Sequence, residues 1–318
     1  MTKTVLVTGG AGFIGSNLVR RLIAHGHTPV VLDDLSTGLA ENLADVTVDL
    51  RVASITDLAA VKDCARGADA IVHLAARGSV PRSVKEPLAT HEVNATGTLN
   101  VLEAARSEGA YMVFASSSSV YGLNRSLPKS EQMWTAPMSP YGASKLAAEA
   151  YVNAFGHSYA LNTLALRFFN VYGPWQRADH DYAAVIPRFV SLALQRGRIP
   201  VHGDGEQSRD FTHVSTVVDV LVDAIERRVS NPTPVNLAYG TKISINELIR
   251  LIEKMAGVPL EVAHLEARVG DVRDSQNSPA SLQSLFPGIE PVDLNEGLAS
   301  VFEWMRSDPA FAHTLLEC

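Results

Sequence analysis

The stretch "KTVLVTGGAGFIGSNL" (residues 3–18) constrains this chain more than any other, because an apolar, β-branched run breaks there into a glycine-rich turn and then into a helical pattern. Gly9, Gly12 and Gly15 stand where a strand–turn–helix unit needs a tight turn, a backbone that can approach a pyrophosphate, and close helix packing. Such a triplet alone is a weak signal. It gains weight from Asp33, which closes the next apolar run in "VVLDDLSTG". A carboxylate at that point can accept hydrogen bonds from both hydroxyls of an adenosine ribose and repels a 2′-phosphate, and no arginine stands beside it. The expected cofactor is therefore NAD rather than NADP. Asp34, its neighbour, reads as a solvated turn residue.

The first half goes on alternating short strand-like runs with longer amphipathic ones. Strands are expected at 3–9, 27–34, 46–52, 69–76, 111–118 and 162–170, and helices at 13–26, 57–67, 91–109 and 139–158. With right-handed crossovers these make a doubly wound α/β fold, a parallel Rossmann-type sheet covered by helices on both faces. After residue 172 the pattern loosens. The expected division is a cofactor domain over 1–172 and a smaller α/β substrate domain over 173–318, with some later segments returning to the first sheet.

Bulk properties exclude several classes. At 318 residues, 46% hydrophobic and 19% charged, the chain can bury a sizeable core, and no apolar run is long enough to cross a bilayer. A formal charge of −7 disfavours nucleic acid or an anionic membrane as partner, though an anionic small substrate could still meet local basic residues. The amino terminus enters a strand without a signal-peptide pattern, so the cytoplasm is expected. Cys64 and Cys318 are too far apart in sequence for a CxxC site, and the ten histidines show no metal-binding spacing, so no metal is expected. His73 ends a strand, where lining the cofactor and packing in the core are equally sufficient roles. His180, between Asp179 and Asp181, reads as part of a solvated loop.

The chemistry is concentrated in two stretches. "SPYGASK" puts Tyr141 and Lys145 four residues apart at a helix start, hence on one face. Such a pair is usually an ordinary surface pair. Beside a nucleotide fold and a serine-rich strand end, however, a nearby ammonium and an oxidised nicotinamide would lower the phenol's pKa until Tyr141 could take a proton from a sugar hydroxyl. The second stretch is "SSSSVYG" (116–122).

With "TGGAGFIG", "HLAA", "RFFNVYGP" and "GDGEQSRDFTHV" added in the same order, the chain resembles, over almost its whole length, the extended short-chain dehydrogenase/reductase family. Its closest resemblance there is to the NAD-dependent nucleotide-sugar epimerases of the UDP-galactose 4-epimerase type. The resemblance implies Ser117 as catalytic hydroxyl, Tyr141 as acid/base and Lys145 as the residue holding the nicotinamide ribose, with Ser116, Ser118 and Ser119 as neighbours. It implies cofactor contacts at Gly9, Gly12, Phe13, Ile14, Asp33, Asp49, Leu50, Leu74, Ala75, Ala76 and Asn94. For a nucleotide-diphosphate sugar, with UDP the usual nucleotide and dTDP the rarer one, it implies contacts at Asn170, Arg209, Arg268 and Asp271, and a base pocket along 197–205 that includes Val201. The alternative for Arg209 is a surface pair with Asp210. A homodimer through helices around 91–108 and 140–157 is also implied.

The implied reaction removes the O4 proton and the C4 hydride, turns the resulting 4-keto sugar, and returns the hydride to its other face. Four departures from the family pattern bear on it. Related 4,6-dehydratases carry an Asp-Glu pair after the catalytic hydroxyl, where this chain has Ser118 and Ser119. That favours epimerisation over dehydration, unless an acid such as Glu131 is delivered from elsewhere for a 4,6- or 5,6-elimination. Arg77 replaces a glutamine or apolar residue beside the nicotinamide and sugar. Trp175 stands where an arginine is common. Ser275 falls at the gate that is large where only plain hexoses fit, and its small size leaves room for an N-acetyl group. A reading of another class, a non-catalytic NAD-binding sensor, is opposed by the intact Ser117, Tyr141 and Lys145.

Overall fold

A computed structural model describes residues 1–178, 183–266 and 273–307. Strands β1 (Thr4–Thr8), β2 (Thr28–Asp33), β3 (Asp49–Val52), β4 (Ala70–His73), β5 (Tyr111–Ser117) and β6 (Thr163–Phe168) alternate with helices α1 (Phe13–Ala24), α2 (Leu58–Ala65), α3 (Val80–Lys85), α4 (Pro87–His91), α5 (Gly97–Glu108) and α6 (Pro140–Tyr159). Beyond them lie β7 (Val171–Tyr172), α7 (Val185–Leu194), β8 (Ile199–His202), β9 (Ser208–Arg209), β10 (Thr212–His213), α8 (Val214–Arg227), β11 (Val235–Leu237), β12 (Ile243–Ser244), α9 (Ile245–Ala256), β13 (Val262–Leu265), α10 (Ala280–Leu285) and α11 (Leu294–Ser307).

One parallel sheet of seven strands, in the order β11-β6-β5-β4-β1-β2-β3, organises the molecule. Alternation along its strands sends side chains to two cores. Val5 and Val7 join Leu18 and Leu22 of α1 and Val217 and Leu221 of α8 on one face, while Leu6 joins Val61, Leu102, Phe114 and Val152 under α2, α5 and α6 on the other. This is the double winding expected from the alternating runs. The chain crosses residue 172 and comes back, since β11 pairs in parallel with β6 and α8 packs on α1. A third core gathers α7, α9 and α11 around Phe189, Val190, Leu248, Ile252, Val301 and Phe302, beside the parallel pair β8 and β13.

The helix expected over 91–109 is not one regular element. It is entered from α4 through a π-turn, Glu92–Thr96, before α5 begins. The extra residue turns Asn94 inward, where it is fully buried and its Oδ1 accepts the Arg77 backbone N–H at 2.7 Å.

Candidate active site

At the carboxyl end of β1 the chain makes its glycine turn. Gly9 takes a left-handed φ of 72°, and a Cβ there would lie 2.7 Å from the backbone nitrogen of Ala75. The turn therefore sits directly against the end of β4. Gly12 is the N-cap of α1 and offers no capping side chain, so the first-turn N–H groups face outward as an anion-binding end. Phe13 and Ile14 open that helix half-buried, packed against the core.

Asp33, at the end of β2, is 7% exposed and accepts the N–H groups of Ala11 and Leu35, each at 2.9 Å. Burial raises its pKa, those two N–H groups oppose the rise, and Asp34 adds to it. Asp34 itself accepts the Ser36 N–H at 2.9 Å as an ordinary turn.

A cleft of about 130 Å³ runs past Gly9, Gly12 and Asp33 to Leu74, Ala75, Ala76 and Arg77. The Nε of Arg77 is buried on it without a partner, while its Nη2 pairs with Glu86 and its main chain is held by Asn94. An uncapped helix end, a ribose-seeking carboxylate and an orphaned guanidinium donor along one cleft fit a dinucleotide.

Two expected contacts are not part of it. Asp49 lies on the sheet's edge strand, exposed and bonded to Arg51 at 2.7 and 2.9 Å, and Leu50 follows it there; the cleft is lined instead by Ala53 and Ile55, just past the end of β3. The rule that ligands sit at the carboxyl ends of parallel strands points to those later residues. Thr37 and Gly38 also line the cleft, and a Cβ on Gly38 would stand 3.0 Å from the Asp33 carboxylate.

The candidate catalytic groups come together where β5 ends and α6 begins. Ser139 caps α6 by accepting the Gly142 N–H at 3.1 Å, and Pro140 supplies the fixed φ of the first helical position. Tyr141 follows, and the Ser117 side chain lies close enough to its phenol to oppose the rise in pKa that burial causes. Ser117 also accepts the Ser119 N–H at 3.2 Å, which turns the chain away from the strand. One turn further along α6, Lys145 is 3% exposed and donates to the Ala115 carbonyl at 2.9 Å. Burial lowers its pKa to about 8.

The phenol does not behave as expected in the protein alone. Burial raises the Tyr141 pKa and only the Ser117 side chain works against it, so the lowering expected from a neighbouring ammonium is not seen. His73 has a packing role: its two ring nitrogens bond Thr8 at 2.7 Å and Thr98 at 3.0 Å, and burial, helped by the Lys145 charge, lowers its pKa to about 3.

Two further cavities share a wall. One, about 400 Å³, is bordered by Ser118, Ser119, Tyr121, Lys129, Met138 and Ser275; the other, about 280 Å³, by Tyr172, Phe189, Pro200, Val201, His202 and Phe211. Asn170 and Arg209 line both. Val201, in the expected base-pocket segment, thus lies beside the second cavity, and Ser275 beside the first. The alternative pairing of Arg209 with Asp210 is not what holds Asp210. That carboxylate is fully buried and takes donors from Gly240, Thr241 and Asn277 at 2.9 to 3.2 Å, and burial pushes its pKa up to about 6. Lys129 is a cavity residue with no motif to announce it, and Tyr121 is one inside "SSSSVYG" that the motif gave no role.

Glu131 is turned elsewhere: its Oε1 accepts the Asn236 N–H at 3.0 Å, on the sheet's edge strand, and it does not border the first cavity. Trp175 lies outside both cavities. It has a left-handed φ of 65°, stacks under the Arg20 guanidinium at 4.0 Å and faces Trp304. Arg268, Asp271 and His180 lie outside the described residues. Among the described residues, no group of three or more His, Cys, Asp or Glu is placed to hold a metal ion, and no helix is long and apolar enough to cross a membrane.

Comparison with known proteins adds the following. The model of the NAD dependent epimerase/dehydratase family matches residues 5–238. Over 317 residues the chain is 38% identical to a UDP-glucose 4-epimerase of Mycolicibacterium smegmatis, covering 95% of this chain and 98% of that one. A UDP-N-acetylglucosamine 4-epimerase from Methanobrevibacter ruminantium M1, solved in complex with UDP-N-acetylmuramic acid, superposes with a TM-score of 0.91 at 35% identity, over 96% of this chain and 99% of that one. TunA, an NAD-dependent NDP-hexosamine 5,6-dehydratase, superposes with a TM-score of 0.85 at 33% identity, over 96% and 98%.

Proposed function

The chain belongs to the NAD-dependent epimerase/dehydratase family, and from that premise we propose that it inverts C4 of a UDP-hexose or UDP-N-acetylhexosamine through a transient 4-keto sugar. NAD is its cofactor. The observation that supports the reading is the gathering of Ser117, Tyr141 and Lys145 at one strand end, with Ser118 and Ser119 rather than acids in the two positions after Ser117, beside a cavity whose bordering carboxylate, Asp274, accepts the Ser208 hydroxyl.

Bound NAD supplies the acceptor, and then the donor, of the C4 hydride. The chain's residues handle the proton and the geometry. Tyr141 is the group that exchanges the O4 proton, with the neighbouring Ser117 hydroxyl as the relay. The protein alone keeps that phenol protonated at neutral pH, and Lys145 does not lower its pKa there, so the positive charge that would let it act as a base would have to come with the oxidised nicotinamide. Arg209, at the joint between the two cavities, suits a diphosphate with the base on one side and the sugar on the other. Arg77 adds a buried donor toward the cofactor cleft. A 4-keto sugar has to turn over in place, and the small side chains of Ser118, Ser119 and Ser275 leave space for that and for an N-acetyl group.

Dehydration requires an acid to expel a hydroxyl. Glu131 is directed at a backbone N–H instead, and Asp274, the acid that borders the cavity, is engaged by the Ser208 hydroxyl and by Lys242 at 3.5 Å. The test is product mass and proton NMR after incubation with UDP-glucose and UDP-N-acetylglucosamine separately. Unchanged mass with an inverted H4 coupling pattern is expected, and loss of one water would overturn the reading in favour of a dehydratase. Tyr141→Phe should lower kcat by roughly 10²- to 10⁴-fold while NAD still binds; a sensor would show no turnover to lose.

A further inference from the structure

Behind the reacting groups runs a buried polar network that the proton transfer does not use. Ser116 donates to Glu149 Oε2 at 2.6 Å, and Arg167 grips the same carboxylate with Nε at 2.9 Å and Nη2 at 2.7 Å. The third guanidinium nitrogen, Nη1, donates to the Tyr121 hydroxyl at 2.8 Å, which in turn donates to Asn236 Oδ1 at 2.7 Å on β11. Glu149 and Arg167 are 3% and 5% exposed at their side chains.

The placement of this network matters more than its strength. A buried ion pair is weak evidence for stability, since a well-packed apolar set of the same volume often serves as well. It does impose direction, because the rigid guanidinium fork and the Ser116 hydroxyl together leave the carboxylate no freedom to turn. Ser116 and Arg167 are register partners across β5 and β6, so both reach Glu149 from neighbouring strands. Tyr141, Lys145 and Glu149 recur every four residues along α6 and share one face. That face is pinned to β5 at two successive residues, Lys145 to Ala115 and Glu149 to Ser116, immediately before Ser117.

We propose that Glu149 is a positioning residue: through Ser116 it fixes α6 against the end of β5 so that Tyr141 meets Ser117, and through Arg167 and Tyr121 it braces the wall of the sugar cavity. The proposal rests on the roles of Ser117 and Tyr141 given above.

Ser116→Ala tests the first arm without leaving a charge unpaired, because the Glu149–Arg167 pair stays intact. Ultraviolet-difference titration of the Tyr141 tyrosinate, taken against Tyr141→Phe in the NAD-bound protein, should move to higher pH as the Ser117 hydroxyl draws away from the phenol. In steady-state kinetics kcat should fall roughly tenfold or more with KM held, as for a small misplacement of reacting groups. Tyr121→Phe tests the second arm and should raise KM severalfold while leaving the pH dependence of kcat in place. If Ser116→Ala lowers Tm but leaves both the tyrosinate titration and kcat at wild-type values, the network is only structural and the proposal is overturned. Because the titration needs no substrate, it reads the positioning even if product analysis reveals a reaction other than epimerisation.

Discussion

Lys145 carries its charge into a site that is 3% exposed, with the Ala115 carbonyl as acceptor. Its pKa, brought down to about 8 by burial, leaves the ammonium intact at neutral pH and removes it as the pH rises further. If that ammonium holds the nicotinamide ribose, NAD affinity should weaken above about pH 8, which calorimetric titration across pH would read. His73 and Asp210 act on stability with opposite sign. The unfolded chain protonates His73 near 6.5 and the folded chain only near 3, so stability is lost as the pH falls from the first value toward the second. Asp210 is protonated in the folded chain already near 6, against 3.8 unfolded, so its protonation returns some stability over that lower range. Denaturant midpoints between neutral and acid pH should therefore fall more gently in His73→Gln than in wild type, although that variant starts lower for want of its buried hydrogen bonds.

Elements depend on where small residues let them touch. A Cβ at position 15 would stand 2.1 Å from the Gly9 carbonyl oxygen, whereas one at Gly288 would meet nothing within 4 Å. Gly15→Ala should cost about 1–3 kcal/mol and lose the Tm increase that NAD confers, while Gly288→Ala should be nearly neutral, both read by thermal melts with and without NAD. Strands β1 to β6 were legible because each falls in a short run of β-branched, aliphatic or aromatic residues bounded by polar or turn residues. β11 was not, since "VNL" is three residues long and only its pairing with β6 makes it a strand. Nor was the π-turn at Asn94, which answers to a partner seventeen residues away, Arg77. At the site, Gly9, Asp33, Ser117, Tyr141 and Lys145 could be picked out because motifs carry them. Asp49 was misread because an acid in a strand looks the same whether it faces a ligand or a neighbouring arginine. Lys129 borders the first cavity through tertiary folding alone, and Tyr121, though inside "SSSSVYG", gained a role only from its buried contacts with Arg167 and Asn236.

At the scale of the whole molecule, α5 and α6 lie side by side, and Ala143, Ala150, Tyr151 and Ala154 are exposed along α6. If these helices pair with a second copy, light scattering should give a dimer at micromolar concentration and Tyr151→Asp should shift it toward monomer; a wild-type monomer would remove that expectation. The long return of the chain to β11 has a consequence of another kind. The cofactor sheet is one strand short until residue 237 exists, and α8, which covers α1, ends only at residue 227. Until then β6, buried along nearly its whole length in the finished protein, is a bare edge able to pair with any passing strand. During synthesis on the ribosome the amino-terminal half therefore cannot close first and wait; it must be shielded until most of the polypeptide has emerged.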